Sequence, residues 1–446
     1  MKEITLEKVI KVLKGKYIGN KSLKNRVVSG VSVDSRKIKE KEIFFALKGK
    51  NFDGHDFIKE ATKKSKLPAV SEKEIKGSEI ILVKDSLKSL GDLASYYKKE
   101  RNVFTIAVTG SIGKTTTKDF IGAVFSTSYP TLISFKNYNN LIGVPLNLFR
   151  LEDEKIAVLE LGTNKFGEIK RLSEIVEPDL GVITGIGSTH LEAFKNKEGV
   201  LREKLDIISG LKGPLFINGD DPLLRKIKMD KLIKVGFSEG NDFVFKIIEE
   251  SINGTIFSTK DKQFLIKLPS RGLLRCAMFA VSIGLYYGLE KRKIQKGLLK
   301  IKNSPHRMEI KITGDYNIID DTYNSNPDSL LNAIAFLPLM PGRKVVVLGP
   351  MLELGEASFS LHKRMGERLK LLINELIVIG EEAKGFLEGF SGGHFAKDKE
   401  EALQILKEIL RCGDTILFKS SRALKLETLV DKLIKEEKNC STYSPL

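Results

Sequence analysis

Residues 103–125 read Val103-Phe-Thr-Ile-Ala-Val108-Thr109-Gly110-Ser111-Ile112-Gly113-Lys114-Thr115-Thr116-Thr-Lys-Asp-Phe120-Ile121-Gly-Ala-Val124-Phe125. The opening run is apolar and β-branched, as a buried strand requires, and the apolar residues from Phe120 onward recur at helical spacing. Between them lies a glycine-bracketed loop that ends in Lys-Thr. Glycines let backbone N–H groups approach phosphate oxygens, and the following helix N-terminus adds partial positive charge. Lys114 can reach the terminal phosphates, and Thr115 can offer a hydroxyl to Mg²⁺. Residues Thr109, Gly110, Ser111, Ile112, Gly113, Lys114, Thr115 and Thr116 therefore read as a phosphate-binding loop, with ATP favoured over a dinucleotide. Val108 stands where the general pattern has a further glycine, which leaves the tighter Gly-x-x-Gly-Lys-Thr. A chance Gly-Lys-Thr turn would not be expected to carry both the strand and the helix.

Outward from this loop, apolar strands at 156–161, 181–186 and 215–218 alternate with helical stretches, the mark of a mainly parallel sheet covered by helices. Upstream, Ile4, Leu6, Val9, Ile10 and Leu13 form an amphipathic helix, followed by strand-like pieces such as 42–47. Downstream of Pro305, strands at 316–320, 344–348, 375–379 and 414–418 again alternate with helices, as in an open Rossmann-like sheet. The expected class is α/β, in three domains. They are a small N-terminal α/β domain at 1–100, a central P-loop ATPase-like parallel-sheet domain at 101–304, and a C-terminal Rossmann-like domain at 305–446.

The length of 446 residues fits three domains, and 41% hydrophobic with 29% charged residues is a globular composition rather than a disordered one. The first residues alternate charge with apolar side chains and offer no signal-peptide core, and the apolar run at 279–289 is too short to span a bilayer. A cytoplasmic protein without membrane insertion is expected. Cys276, Cys412 and Cys440 have neither metal-ligand spacing nor an even count, so reduced thiols are expected. The net charge of +17 would suit nucleic acid or small anions such as nucleotides. It is spread along the chain without a basic tail or a recognised nucleic-acid motif, so no nucleic-acid partner is expected.

Three further residues bear on the chemistry. Glu160 ends an apolar strand, where an acid is either solvated or completes magnesium coordination beside a P-loop. His190 follows the strand at 181–186 and is either an ordinary loop histidine or a ligand. On a helix expected at 196–211, Leu201, Lys204, Leu205, Ile208 and Leu211 recur at helical offsets, which puts Lys204 on the apolar face. A lysine there snorkels to solvent, or is held at a site with its amine modified or shifted.

Together, the loop at 109–116, Asn137-Tyr-Asn139-Asn140-Leu-Ile-Gly143-Val-Pro145, Glu160-Leu-Gly162, His190 and Lys204 resemble the Mur ligases, ATP-dependent amide-bond-forming enzymes of cell-wall precursor synthesis. Asp34-Ser35-Arg36, Phe44-Phe-Ala-Leu-Lys-Gly49 and Asp53-Gly54-His55 look like the uridine-nucleotide recognition domain of that family. Asp320-Asp321-Thr-Tyr323-Asn324-Ser-Asn326-Pro327 and Leu348-Gly-Pro350-Met351-Leu352-Glu353-Leu354-Gly355 resemble the member that joins D-alanyl-D-alanine to UDP-MurNAc-tripeptide. The resemblance extends to residue 427.

It implies that Lys114 and Thr115 bind phosphate and a first Mg²⁺, that Glu160 serves two metal ions, and that His190 binds the second. It makes Lys204 a carbamylated lysine supporting that second ion, and it brings Asn140, Arg307 and Asp321 to the nucleotide. It implies substrate contacts at Asp34, Ser35, Arg36, Asp53, Gly54, His55, Tyr323, Asn324, Asn326, Lys419, Ser421 and Arg422. The turn-forming chemistry of Asp53-Gly54, Asp34 and Asn326-Pro327 also suits purely structural roles. Small-molecule substrates and a monomer are expected. The sequence departs from the family at Leu274, Arg275 and Met278, around the expected adenine contacts, at Pro350, and in Lys419-Ser420-Ser421-Arg422. The competing functions are a Mur-type ligase with another acceptor, a polynucleotide-stimulated P-loop ATPase, and a binding protein without turnover.

Overall fold

The computed structural model describes residues 1–20, 25–49, 52–135, 137–187, 191–267, 271–301 and 305–436. Three main sheets follow one another along the chain. The first has five strands in the spatial order Lys16–Ile18, Ile80–Leu82, Ala69–Ser71, Glu42–Phe45, Gly30–Ser32, parallel except for the first pair. Helix Leu6–Leu13 begins at the Thr5 side-chain cap and buries Leu6, Val9 and Leu13, the stripe that its sequence spacing requires.

The central sheet has seven strands, all parallel, in the order Phe243–Val244, Leu232–Gly236, Leu215–Asn218, Leu180–Ile183, Phe104–Thr109, Ile156–Glu160, Thr131–Ile133. The chain leaves Phe104–Thr109 towards one side, and later fills the other side with Leu180–Ile183. The C-terminal end of Phe104–Thr109 is thus a topological switch point, where open α/β sheets form their binding crevice. Helix Lys114–Phe125 covers one face and is itself covered by helix Arg271–Tyr286, so Phe120, Ile121, Val124 and Phe125 are all buried. A three-stranded antiparallel meander spans Lys246–Ser251, Gly254–Thr259 and Lys262–Ile266.

The last sheet runs Glu309–Ile312, Asn317–Asp321, Thr415–Lys419, Lys344–Leu348, Glu375–Ile379, His394–Ala396, parallel beyond its first pair. Its two faces hold separate apolar clusters. In contrast, the first sheet and one face of the central sheet share a continuous core. Helix Ser86–Arg101 sits in that core, burying Leu90, Leu93, Ala94 and Tyr97. Among the described residues no helix is long and apolar enough to cross a membrane. Cys276 is a buried free thiol, but Cys412 is disulfide-bonded, against the expectation of reduced cysteines.

Candidate active site

The loop after Phe104–Thr109 is shaped by Gly110 at φ +140° and Gly113 at φ +80°, both in the region that favours glycine. A Cβ on Gly110 would lie 2.1 Å from Thr184 Oγ1, so the loop packs against the next strand's end with no room for a side chain. Lys114 folds back over the loop and donates to the carbonyls of Gly110 (2.9 Å) and Ser111 (3.3 Å). Burial lowers the pKa of its amine. Thr109 is buried, its hydroxyl donating to the Leu161 carbonyl at 2.8 Å.

Glu160 is 3% exposed, and its carboxylate accepts from the Thr115 hydroxyl at 2.7 Å and from Asn139 Nδ2 at 2.8 Å. Asn140, the expected nucleotide neighbour, is exposed, and its Oδ1 accepts from Ile142 N and Gly143 N ahead of helix Gly143–Leu148. The asparagine hydrogen-bonded to the carboxylate is its neighbour Asn139.

Lys204 is buried at 2% exposure. Burial, followed by the nearby charge of Lys114, pushes its pKa down to about 7, while Glu203, Glu160 and Glu168 pull the other way. The helix that carries it is shorter than expected. It spans Lys197–Leu205 and tightens into a 3₁₀ turn at Asp206–Ser209, which leaves Ile208 47% exposed. The buried stripe is Val200, Glu203 and Lys204 rather than the leucine series. His190 lies outside the described residues.

The last sheet closes the other side of a cleft of about 300 Å³ that opens onto Lys114, Thr115, Thr116 and Glu160. Arg307, Asp321, Tyr323, Asn324, Asn326 and Lys419 line it from that side. Arg307 stacks over the Tyr323 ring at 4.0 Å. Lys419 Nζ pairs with Asp321 Oδ2 at 2.6 Å and donates to the Asn324 carbonyl at 2.9 Å. Burial nevertheless raises the pKa of the Asp321 carboxyl. Asn326 caps helix Pro327–Ile334 in a reciprocal box with Ser329. Ser421 is buried and Arg422 is ion-paired to Glu427; neither lines this cleft. His306, Glu309 and Asp320 converge nearby, but Lys311 already contributes a cation 2.8 Å from Asp320.

A second cavity of about 340 Å³ adjoins the phosphate loop and is lined by Arg275, Cys276 and Phe279 of helix Arg271–Tyr286 and by Asn218, Asp328 and Leu331. Leu274 and Met278, two of the positions at which the sequence departs from the family, are buried in the core. The third, Arg275, faces the cavity with Cys276 and Phe279. Beyond strand Lys344–Leu348, the Met351 N–H donates to Nε2 of the buried His362 at 2.9 Å, and the His362 Nδ1–H donates to the Ser358 carbonyl at 2.7 Å. Pro350 accepts from Ser421 N at 3.0 Å.

In the first sheet, Asp34 and Asp53 lie beyond the C-terminal ends of the adjacent parallel strands Gly30–Ser32 and Glu42–Phe45. Asp34 is engaged by the Arg36 guanidinium, which holds its pKa at about 2, and Lys64 donates to the Ser35 carbonyl. Asp53 accepts from the His55 N–H and ring, which holds its carboxyl below the usual range, and Lys73 lies beside it. A Cβ on Gly54 would lie 2.7 Å from Leu47 backbone atoms. These two loops are internally braced, and neither lines the cleft at Lys114.

The chain matches the Mur ligase middle domain over residues 108–284, the Mur ligase glutamate ligase domain over 306–422 and the Mur ligase family catalytic domain over 27–74. A Bacillus subtilis protein named UDP-N-acetylmuramoyl-tripeptide--D-alanyl-D-alanine ligase is 36% identical over 96% of this chain and 98% of its own length. The chain belongs to the Mur ligase family. An Escherichia coli Mur ligase of the same name is 31% identical over 99% of this chain and 100% of its own. Among solved Mur ligase structures, MurF from Acinetobacter baumannii superimposes with a TM-score of 0.90 at 30% identity, covering 98% of this chain and 100% of that one. MurF from Thermotoga maritima, in complex with ADP, gives 0.84 at 32% identity, over 91% and 97%. This Mur ligase is therefore an α/β protein of the same architecture, and an ATP-binding ligase.

Proposed function

We propose that this Mur ligase joins D-alanyl-D-alanine to UDP-MurNAc-tripeptide at the expense of ATP, as the names of its full-length relatives state for them. The observation that carries the reading is the single cleft in which the phosphate loop and Glu160 face Arg307, Asp321 and Lys419 of the last sheet. A carboxylate is a poor acyl donor. Transfer of the γ-phosphoryl group to the tripeptide carboxylate supplies a leaving group, and the dipeptide amine then displaces phosphate from the acyl phosphate.

In this reading Lys114 and the loop N–H groups hold the β- and γ-phosphates, and Arg307 neutralises charge from the opposite wall. The hydroxyl of Thr115 and the carboxylate of Glu160 are hard oxygen donors in contact beside the loop, a donor set that fits Mg²⁺. Lys204, whose buried amine is brought down to a pKa of about 7, fits a lysine that takes up CO₂ and would present a carbamate oxygen to a second ion, with His190. Bound metal would offset the repulsion between carboxylate and triphosphate. Asn139 orients Glu160, and Asn140 would lie near the γ-phosphate. The loops at 34–36 and 53–55 would receive the uridine nucleotide, Tyr323 and Asn324 would lie towards the reacting groups, and Ser421 and Arg422 would act from behind the Tyr323 loop.

We further propose domains at 1–100, 101–304 and 305–446, and a cytoplasmic monomer acting on small molecules without nucleic acid. The deciding experiment is phosphate release from MgATP with UDP-MurNAc-tripeptide and D-alanyl-D-alanine, omitting each in turn and weighing the product. Release that needs both, with a UDP-pentapeptide formed, supports the reading. A folded protein that binds ATP and makes no product with a lysine- or diaminopimelate-containing tripeptide overturns it.

A further inference from the structure

Helix Glu168–Val176 begins at Gly167, which has no side chain to accept from the first-turn N–H groups. Those donors are satisfied from elsewhere. Glu203 Oε2 accepts from Gly167 N at 2.7 Å, and Glu203 Oε1 accepts from Ile169 N at 2.9 Å. The same Oε1 lies 2.9 Å from the Thr163 hydroxyl, whose one proton is shared among Glu203 Oε1, the Lys165 carbonyl at 2.7 Å and Glu168 Oε2 at 3.2 Å. Glu203 is 0% exposed, so two backbone N–H donors, the shared Thr163 hydroxyl and the positive end of a helix are what make a buried carboxylate tolerable there. A carboxylate 34 to 36 residues away in the chain thus caps the helix.

Its neighbours give the cap a second consequence. Thr163 lies three residues beyond Glu160, and Lys204 follows Glu203 directly. One buried side chain therefore ties the segment leaving Glu160 to the helix that presents Lys204. We propose that Glu203 is a positioning residue of the ligase centre, clamping residues 163–169 to the Lys204 helix and so setting where Lys204 sits relative to Glu160. The proposal rests on the reading of Glu160 and Lys204 as metal-site residues given above. Glutamine cannot replace this carboxylate. It keeps the length but offers one acceptor oxygen and turns an NH₂ towards donors, leaving at least one N–H or O–H unpaired in a dry interior.

The test compares wild type with Glu203→Gln, Glu203→Ala, Thr163→Val and a control, Ser173→Ala. Ser173 donates to the Ile207 carbonyl, so the control breaks a buried hydrogen bond between the same two regions without touching residues 163–169. Thermal midpoint, ADP affinity, kcat and KM, the Mg²⁺ concentration for half-maximal rate and amide exchange at 163–169 are measured on each full-length protein. Misplacing a reacting group by an ångström costs up to about 100-fold in rate, so Glu203→Gln is expected to lose at least about tenfold in kcat. It should also need more Mg²⁺, exchange faster at 167 and 169, and bind ADP within about threefold of wild type. Thr163→Val, which removes the hydroxyl shared by Glu203, Lys165 and Glu168 and leaves the two backbone bonds of the cap, should fall between wild type and Glu203→Gln.

Ser173→Ala should lose thermal stability with kcat unchanged. The proposal is overturned if Glu203→Gln keeps wild-type kcat and Mg²⁺ requirement, or if Ser173→Ala loses kcat in step with it. Should these Glu203 variants fail to fold, Glu203→Asp, which keeps the carboxylate and shortens its arm, is measured in their place, and a wild-type kcat and Mg²⁺ requirement there overturns the proposal equally. A wild type that makes no product overturns the ligase reading, and this proposal with it. An active wild type with indifferent variants removes Glu203 alone.

Discussion

Lys204 and Lys419 are both lysines at 2% exposure or less, and the protein handles their charges in opposite ways. Lys204 is left with an amine of pKa about 7, whereas Lys419 is matched with Asp321 at 2.6 Å. Lys204→Ala is expected to fold, bind ADP and lose most turnover, with partial recovery on adding a short carboxylate that can stand in for a carbamate. Full turnover in that variant would remove the lysine from the mechanism. Lys419→Met strands a buried carboxylate, and breaking such a pair costs roughly 3–5 kcal/mol. The last sheet should therefore unfold at lower urea, and adding Asp321→Asn should restore much of the loss. A single variant as stable as wild type would show that Asp321 simply takes a proton, the direction in which burial already drives it.

At the scale of elements, the buried His362 joins helix Ser358–Leu369 to the start of the loop after Lys344–Leu348 through an unprotonated Nε2. Burial lowers its pKa below the ordinary value of 6.5. As pH falls through about 6.5 the unfolded chain takes up a proton before the folded one does, so this contribution is complete above that pH and is lost on acidification. Urea midpoints for the last sheet at pH 7.5 and 5.5 should differ more in wild type than in His362→Gln, whose amide can still accept from Met351. Equal slopes would contradict this. Such elements were legible where local physics decides them. The strand–loop–helix at 104–125 and the strands at 156–160, 215–218, 344–348 and 375–379 follow from apolar runs between glycine-bearing loops. What stayed hidden depends on partners distant in the chain. The early end of the Lys204 helix, the contact of Asn139 with Glu160 and the long-range cap from Glu203 are set by contacts that periodicity does not encode.

Across the whole molecule, the first sheet and the central sheet share one apolar core while the last sheet has its own. Residues 1–301 are therefore expected to unfold as one cooperative unit and residues 305–436 as another. Hydrogen exchange in rising urea would resolve two steps, and ADP, bound as proposed in the cleft between them, should delay both. A separate early step confined to residues 1–100 would contradict the shared core. The Tyr97 hydroxyl crosses that core, accepting from the backbone N–H of Lys2 at 2.8 Å and donating to the Leu151 carbonyl at 2.5 Å. On the ribosome, the beginning of the chain cannot finish folding when it emerges. Leu151 and the helix at Glu168–Val176 that complete its packing are made later, and at roughly 5–20 residues per second the wait is several seconds. For that interval the nascent chain carries Leu90, Leu93 and Tyr97 without their later partners, so translation speed between codons 100 and 176 should affect how much of this ligase reaches its folded form.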